Sequence, residues 1–268
     1  MGKLESVVQI TGTLDNLSFF TRAGSDKIIV RLKGGPSREK VLTAPNFERT
    51  RENASEFAGR VLASQMIRRT ISAMSGIFNY NVTVALHKPL RALQVLDTTS
   101  PRGQRTVIFS RKPAFLEGLN FNSRASLDSV VRTPIECTLS AEGKAEVFIP
   151  ELIPDLNLIL PEKYPYYRFV VGVGVVPDLV YKDGKYVSAV PGMRLSTQTR
   201  HETSWVSVRS RSEATTMSLT HPPVPRSKDC VWILSVGIEL GALSEWGDIM
   251  PVKRQGAGKI LKCLVPDF

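Results

Sequence analysis

Two stretches of this 268-residue chain, Tyr166–Val176 and Val231–Leu240, are apolar almost without interruption. A strand with one wet face alternates apolar and polar residues, whereas a continuous apolar run belongs to a strand covered on both faces. Neither run nears the roughly 18 apolar residues of a membrane span. The chain must therefore build a sheet whose central strands have something packed on each side. It has the material, with 42% hydrophobic residues, 19 glycines and a mean hydropathy of −0.05. That composition excludes a disordered chain, a collagen and a coiled-coil rod.

The residues around these runs also read as β structure. Thr106–Ser110, Pro134–Leu139 and Ala145–Ile149 have strand character, the last two joined through Ala141-Glu142-Gly143 as a hairpin. Asp183-Gly184, between Tyr181-Lys182 and Lys185-Tyr186, is the strongest hairpin signal, because Asp-Gly suits a type I′ turn. Prolines at 150, 154, 161, 165, 177, 191, 222, 223 and 225 punctuate the strands. Short strands so spaced predict an antiparallel, sandwich-like region over residues 98–268, or two small sandwiches. No βαβ alternation occurs, which removes the usual nucleotide-binding α/β folds.

The first third has other periods. Residues 5–33 read as a ribbon of two or three strands, with Leu17, Phe19, Ile28, Val30 and Leu32 at a spacing of two and a turn at Ala23-Gly24-Ser25-Asp26. Gly34-Gly35-Pro36-Ser37 ends it, and a basic connector read as extended runs through Arg38, Lys40 and Ala44-Pro45. From Asn46, read as an N-cap, the period becomes helical. Phe47, Ala54, Phe57, Ala58, Val61, Leu62 and Gln65 share one side, and Arg49, Glu52, Glu56 and Arg60 the other, to about Met74. A second helix is predicted from Val82 to Leu96, with Leu86, Leu90, Leu93 and Leu96 as its stripe and Pro89 as a kink or true start. The chain thus reads as α+β: a basic β-ribbon arm and linker (1–45), a helical pair (46–97) and the antiparallel β region (98–268).

No motif supplies catalytic chemistry. Gly256-Ala257-Gly258-Lys259 lacks the leading glycine of a P-loop, since 253 is Lys, and Ile260 replaces the Ser or Thr. His201-Glu202 begins like a zinc-protease helix, but Trp205 holds the second histidine position. His87, His201 and His221 share no ligand spacing with each other or with a cysteine. Glu142, Glu146 and Glu151 read as a solvated hairpin face, and Gly172-Val173-Gly174 as close sheet packing or a bulge. Cys137, Cys230 and Cys263 are far apart in apolar contexts, as buried free thiols of a reducing compartment are. Gly2 and Ser6 match a myristoylation pattern, against which the strand-like Val7–Ile10 argues. No catalytic, metal-binding or cofactor residue is assigned, and the expected location is cytoplasmic.

Charge is uneven. The chain carries +10 with a pI near 9.7. Between Thr21 and Thr70, eleven Lys or Arg face five acids. Arg22, Lys27, Arg31, Lys33, Arg38 and Lys40 of the ribbon and linker, with Arg49 and Arg51 at the start of the helix, form a candidate basic patch.

The chain resembles a family of uncharacterised proteins of Bacteroidetes-type bacteria. The resemblance rests on Gly12-Thr13-Leu14-Asp15-Asn16-Leu17-Ser18-Phe19-Phe20, Gly34-Gly35, and Phe47-Glu48-Arg49-Thr50-Arg51-Glu52-Asn53-Ala54-Ser55-Glu56-Phe57. It continues over Leu96-Asp97-Thr98-Thr99-Ser100-Pro101-Arg102-Gly103-Gln104-Arg105 and Gly118-Leu119-Asn120-Phe121-Asn122. It implies a bacterial source and the order ribbon, helices, β-rich half, and it transfers no activity and no catalytic residue.

A short apolar-faced ribbon is marginal in water unless covered. The leading expectation is therefore a non-enzymatic structural subunit that self-assembles or docks on a larger assembly through Leu17, Phe19, Phe20, Ile28, Val30 and Leu32. Its partners would be copies of itself or another structural protein, with no membrane involved. Two alternatives stand beside it. One is a nucleic-acid-binding protein using the basic ribbon and linker, and the other a sandwich binding a glycan or small ligand through Trp205, Trp246 or Tyr164.

Overall fold

A computed structural model describes residues 2–4, 10–22, 24–32, 34–160, 164–193 and 198–267, with the backbone alone for 2–4. The strand-like Val7–Gln9, the acylation-pattern Ser6 and the basic Lys33 lie outside the described residues. The protein is α+β, and its contacts divide it once, between Arg51 and Glu52. The sequence reading drew its boundaries at 45 and 97.

The first unit is an antiparallel sheet with a short helix. Strands β1 (Gly2–Leu4), β2 (Gly12–Leu14), β3 (Leu17–Thr21) and β4 (Ile28–Leu32) pair in the order β1-β4-β3-β2, against the two or three strands expected over 5–33, with β1 lying before that range. The connector is not extended. Arg38–Thr43 forms helix α1, because Ser37 caps it by accepting from the Lys40 N–H. The Arg51 guanidinium, ten residues on, donates to the Val41 and Ala44 carbonyls at 2.9 Å and holds the other end. Asn46 is not an N-cap either: Pro45–Phe47 is a 3-10 turn that leads into α2 (Glu48–Thr70), with Pro45 at the first position, where a missing N–H costs nothing.

The second unit has three layers. Its centre is β7 (Tyr166–Pro177) paired along its whole length with β13 (Cys230–Leu243), the two runs anticipated as central strands. Both are buried nearly throughout. On β7 lie β10 (Gln198–Glu202) and β11 (Val206–Ser207), and on β13 lie β14 (Ile249–Pro251) and β15 (Ala257–Leu264). One face, with Val171, Val173, Val175, Trp232, Leu234 and Val236, packs against a small sheet of β5 (Glu136–Leu139), β6 (Lys144–Ile149) and β12 (Thr215–Thr220). Val170, Val176, Val231 and Ile233 face the other way, onto α2 and α3 (Val82–Val95). There is thus one sandwich with a helical layer behind it, and the helices share their core with the sheet. The hairpin of β8 (Leu179–Lys182) and β9 (Lys185–Ser188) turns at Asp183 and Gly184, both at positive φ, as a type I′ turn requires.

Two local expectations fail for identifiable reasons. Thr106–Ser110 is not a strand, since Val107 makes one isolated bridge to Leu179 and Phe109–Arg111 is a 3-10 turn. Helix α2 buries Glu56, Gly59, Ala63, Met66 and Ile67, while Ala54, Phe57, Ala58 and Gln65 are exposed, so the buried face is rotated from the expected stripe. Glu56 draws it inward by accepting the Gly103 N–H at 3.0 Å beside Arg105. Arg60 donates to Gln94 at 2.6 Å. Helix α3 runs through Pro89, and Leu96, beyond its last residue, is exposed rather than part of the buried stripe.

Candidate interaction surfaces

Cross-strand partners in an antiparallel sheet project to the same side. The register of the first unit aligns Leu14, Leu17 and Leu32 in one row, Phe19 with Val30 in the next, and Ile28 with Thr21 beyond. Five of the six residues expected to form an interaction face therefore share a face, and Leu14 joins them. Phe20 is on the opposite side, next to Ile29, with the Arg31 guanidinium 5.2 Å from its ring centre. Ile28 is the one buried residue among the described residues of this unit. Leu17, Phe19 and Val30 are half-buried, while Leu14 is 65% and Leu32 67% exposed. Among the described residues strand β2 ends the sheet, and its residues Gly12, Thr13 and Leu14 are all exposed. They include neither a charge nor a proline, the features that commonly protect a sheet edge.

The residues of the candidate basic patch are spread over several elements. Arg51 caps α1, Arg31 lies over Phe20, and Arg38 and Lys40 belong to α1 itself. Arg22 and Lys27 are exposed near the β3–β4 turn, Arg49 is exposed on the first turn of α2, and Lys33 lies outside the described residues. The cations gathered into a concavity lie elsewhere. Arg68 and Arg69 at the end of α2, with Lys253 and Arg254 before β15, line two adjoining clefts. Sequence reasoning counted the first pair among the basic residues and passed over Lys253-Arg254, a short doublet in an otherwise apolar stretch.

Several other titratable groups are tied into the fold. Arg168 donates to Glu239 at 2.8 and 3.0 Å and to Glu202 at 2.6 Å, and Arg200 donates to Glu239 at 3.0 Å. Glu239, buried between two guanidiniums, is thereby neutralised. Lys259, the lysine of the glycine-rich stretch, lies on β15 and pairs with Asp128 at 2.6 Å. Glu142 sits in the β5–β6 turn, Glu146 on the exposed face of β6, and Glu151 pairs with Arg211, so the three do not converge. The three cysteines are free thiols; burial pushes Cys230 up to about 12 and raises Cys137 and Cys263 as well. Among the described residues no His, Cys, Asp and Glu group is arranged to hold a metal ion, and no helix is long and apolar enough to cross a membrane.

Trp205, Trp246 and Tyr164 do not share a cavity. Trp205 lies under the Arg168 guanidinium at 4.5 Å, Trp246 is exposed on the loop after β13, and Tyr164 borders a cleft of about 800 Å³.

Two stretches that carry the family resemblance touch one another. Ser55 donates to the Gly103 carbonyl at 2.6 Å, Arg102 reaches Asn53 at 3.1 Å and Glu52 at 3.4 Å, and Glu56 holds the Gly103 N–H. That stretch is a helix-to-loop clasp. No protein-family model matches the chain, and neither a curated protein nor a solved structure does.

Proposed function

We propose that this chain is a non-enzymatic structural subunit that pairs with a second copy of itself through the apolar face and the edge strand β2 of its N-terminal sheet. The observation that carries this is the row Leu14, Leu17 and Leu32, with its two outer leucines about two-thirds exposed beside an uncharged edge strand. A second copy is the occupant the geometry favours. Edge strand β2 meeting its own two-fold mate antiparallel extends the sheet and brings the two leucine rows side by side. Such an interface is self-complementary. Arg31 lies on the reverse side, away from that contact.

Magnitude decides the strength of the contact. Covering Leu14 and Leu32 gains about 1–2 kcal/mol apiece, or roughly 4–8 kcal/mol for two copies. Association costs about 4 kcal/mol or more. Leucine burial alone barely offsets that, so edge hydrogen bonds are needed as well and pairing is weak and concentration-dependent.

Sedimentation velocity over a wide concentration range tests it. The wild type should shift from monomer to dimer or larger species, and Leu14→Asp with Leu32→Asp should stay monomeric with an unchanged circular dichroism spectrum. A wild type that stays monomeric throughout, or a double variant that still associates, overturns the proposal.

A further inference from the structure

The end of α2, the turn after it and the loop before β15 enclose two adjoining clefts of about 420 and 350 Å³. They share Arg68, Ser75 and Phe78; Arg69 stands in one, Lys253 and Arg254 in the other. No carboxylate lines either cleft. Among the described residues none of the four cations makes an ion pair, although this chain neutralises its arginines elsewhere, as at Arg168 and Arg200. Like charges gathered in a concavity repel one another unless an anion is present.

The backbone holds the cations there at a cost. Arg254 has a φ of 64°, left-handed backbone that an L-residue other than Gly, Asn or Asp seldom adopts and that costs about 1 kcal/mol. Its N–H donates to the Gly76 carbonyl at 2.6 Å, which fixes the loop against the turn carrying Phe78. The Phe78 ring is half-buried and packs edge-on to Phe121, with centroids 5.3 Å apart. Arg69 thus lines one cleft and Lys253 and Arg254 the other, while Arg68 and the Phe78 ring are common to both. A single phosphate needs neither both clefts nor that ring.

We infer that this groove binds a segment of single-stranded nucleic acid, with successive phosphates on Arg68, Arg69, Lys253 and Arg254 and a base against Phe78. Stacking on aromatic rings within a basic groove is how single strands are held without sequence preference. The site uses none of the ribbon residues and stands apart from the pairing proposed above.

Fluorescence anisotropy of labelled twelve-residue oligo-dT and oligo-rU, against a duplex of the same length, tests it with the full chain. Four phosphate contacts give a log–log salt slope of about −3 for a single strand, so affinity should fall roughly fifty-fold between about 50 and 200 mM salt. Arg68→Gln with Lys253→Gln should halve that slope and weaken binding at least about ten-fold at low salt. Phe78→Leu, which keeps a side chain against Phe121, should weaken binding roughly ten-fold with the slope unchanged. Lys27→Gln with Arg31→Gln, and the Leu14→Asp and Leu32→Asp variant, should bind as the wild type does. Because Arg68 and Lys253 are exposed, thermal melting should show that their variants remain folded. Absence of strand binding at low salt, duplex binding as tight as strand binding, or loss of binding in the ribbon variant but not the groove variant overturns the inference.

Discussion

Asp97 and Asp178 are both closed off from solvent, at 3% and 1% exposure, yet their carboxyls move in opposite directions. Burial raises each. At Asp97 it is outweighed, because Oδ1 accepts from the Thr99 N–H, the Thr99 hydroxyl and the Ser100 N–H, and Oδ2 from the Thr106 N–H and hydroxyl, all within 3.0 Å. The carboxyl is held far below the usual range. At Asp178 the Ser110 N–H and hydroxyl donate at 3.0 and 2.5 Å and the Phe109 backbone adds a smaller effect, and burial wins. A depressed carboxyl stabilises the fold above its unfolded value, near about 4, and loses that contribution as pH falls toward the folded value. A raised carboxyl has the reverse effect: its ionised form opposes folding at neutral pH, and lowering the pH relieves this. Asp97→Asn, which turns an NH₂ toward donors, should therefore lower stability by about 2–4 kcal/mol at pH 7, a loss that shrinks below about pH 4. Asp178→Asn should cost less than about 1 kcal/mol, since an amide can still accept the Ser110 N–H and donate to its hydroxyl. Urea unfolding of both variants at pH 7 and about pH 2.5 measures this, and an Asp97→Asn loss that is the same at both would contradict the account.

Among the elements, β7 and β13 carry the fold, and the turn after α2 closes onto them where they lack side chains. A methyl group on Gly172 would lie 2.7 Å from the Ala73 Cβ, and one on Gly237 would lie 2.5 Å from the Ile77 Cδ1. Ala73 has no rotamer with which to yield, whereas Ile77 can turn its terminal carbon aside. Gly172→Ala should thus cost about 1–3 kcal/mol and Gly237→Ala clearly less, by urea denaturation, although both remove a glycine from a strand. These strands were legible in the sequence because burial on both faces leaves a continuous apolar run. The Asp183-Gly184 turn was legible because its backbone demands those residues. The face of α2 was not, since what draws Glu56 inward is a backbone N–H at Gly103, 47 positions away in the chain. Helix α1 was hidden for the same reason: six residues are too few to be helical alone, and the guanidinium closing it comes from Arg51. The ribbon face was legible by its period of two, except that Phe20 follows Phe19 directly and so must point the other way. Lys253 and Arg254 reach Arg68 only through tertiary folding, and no local pattern marks such an encounter.

At the scale of the molecule the two units are unequally provided for. Both apolar clusters, one on each face of the large sheet, are made wholly of residues beyond Glu52. The first 51 residues bury Ile28 alone among those described, and a small sheet with so little covered surface is marginal in water. Residues 52–268 should therefore fold without the ribbon, unfold in one cooperative transition and bind no apolar dye, since both faces of the central sheet keep their cover. Residues 1–51 alone should show a largely unfolded circular dichroism spectrum at micromolar concentration. The fragment 52–268 should also stay monomeric at every concentration at which the full chain associates. Calorimetry, dye binding and sedimentation of the two pieces measure all of this. Dye binding with a broad transition in residues 52–268 would show that the ribbon completes the core, and would remove the reason for its leucines to seek a second copy.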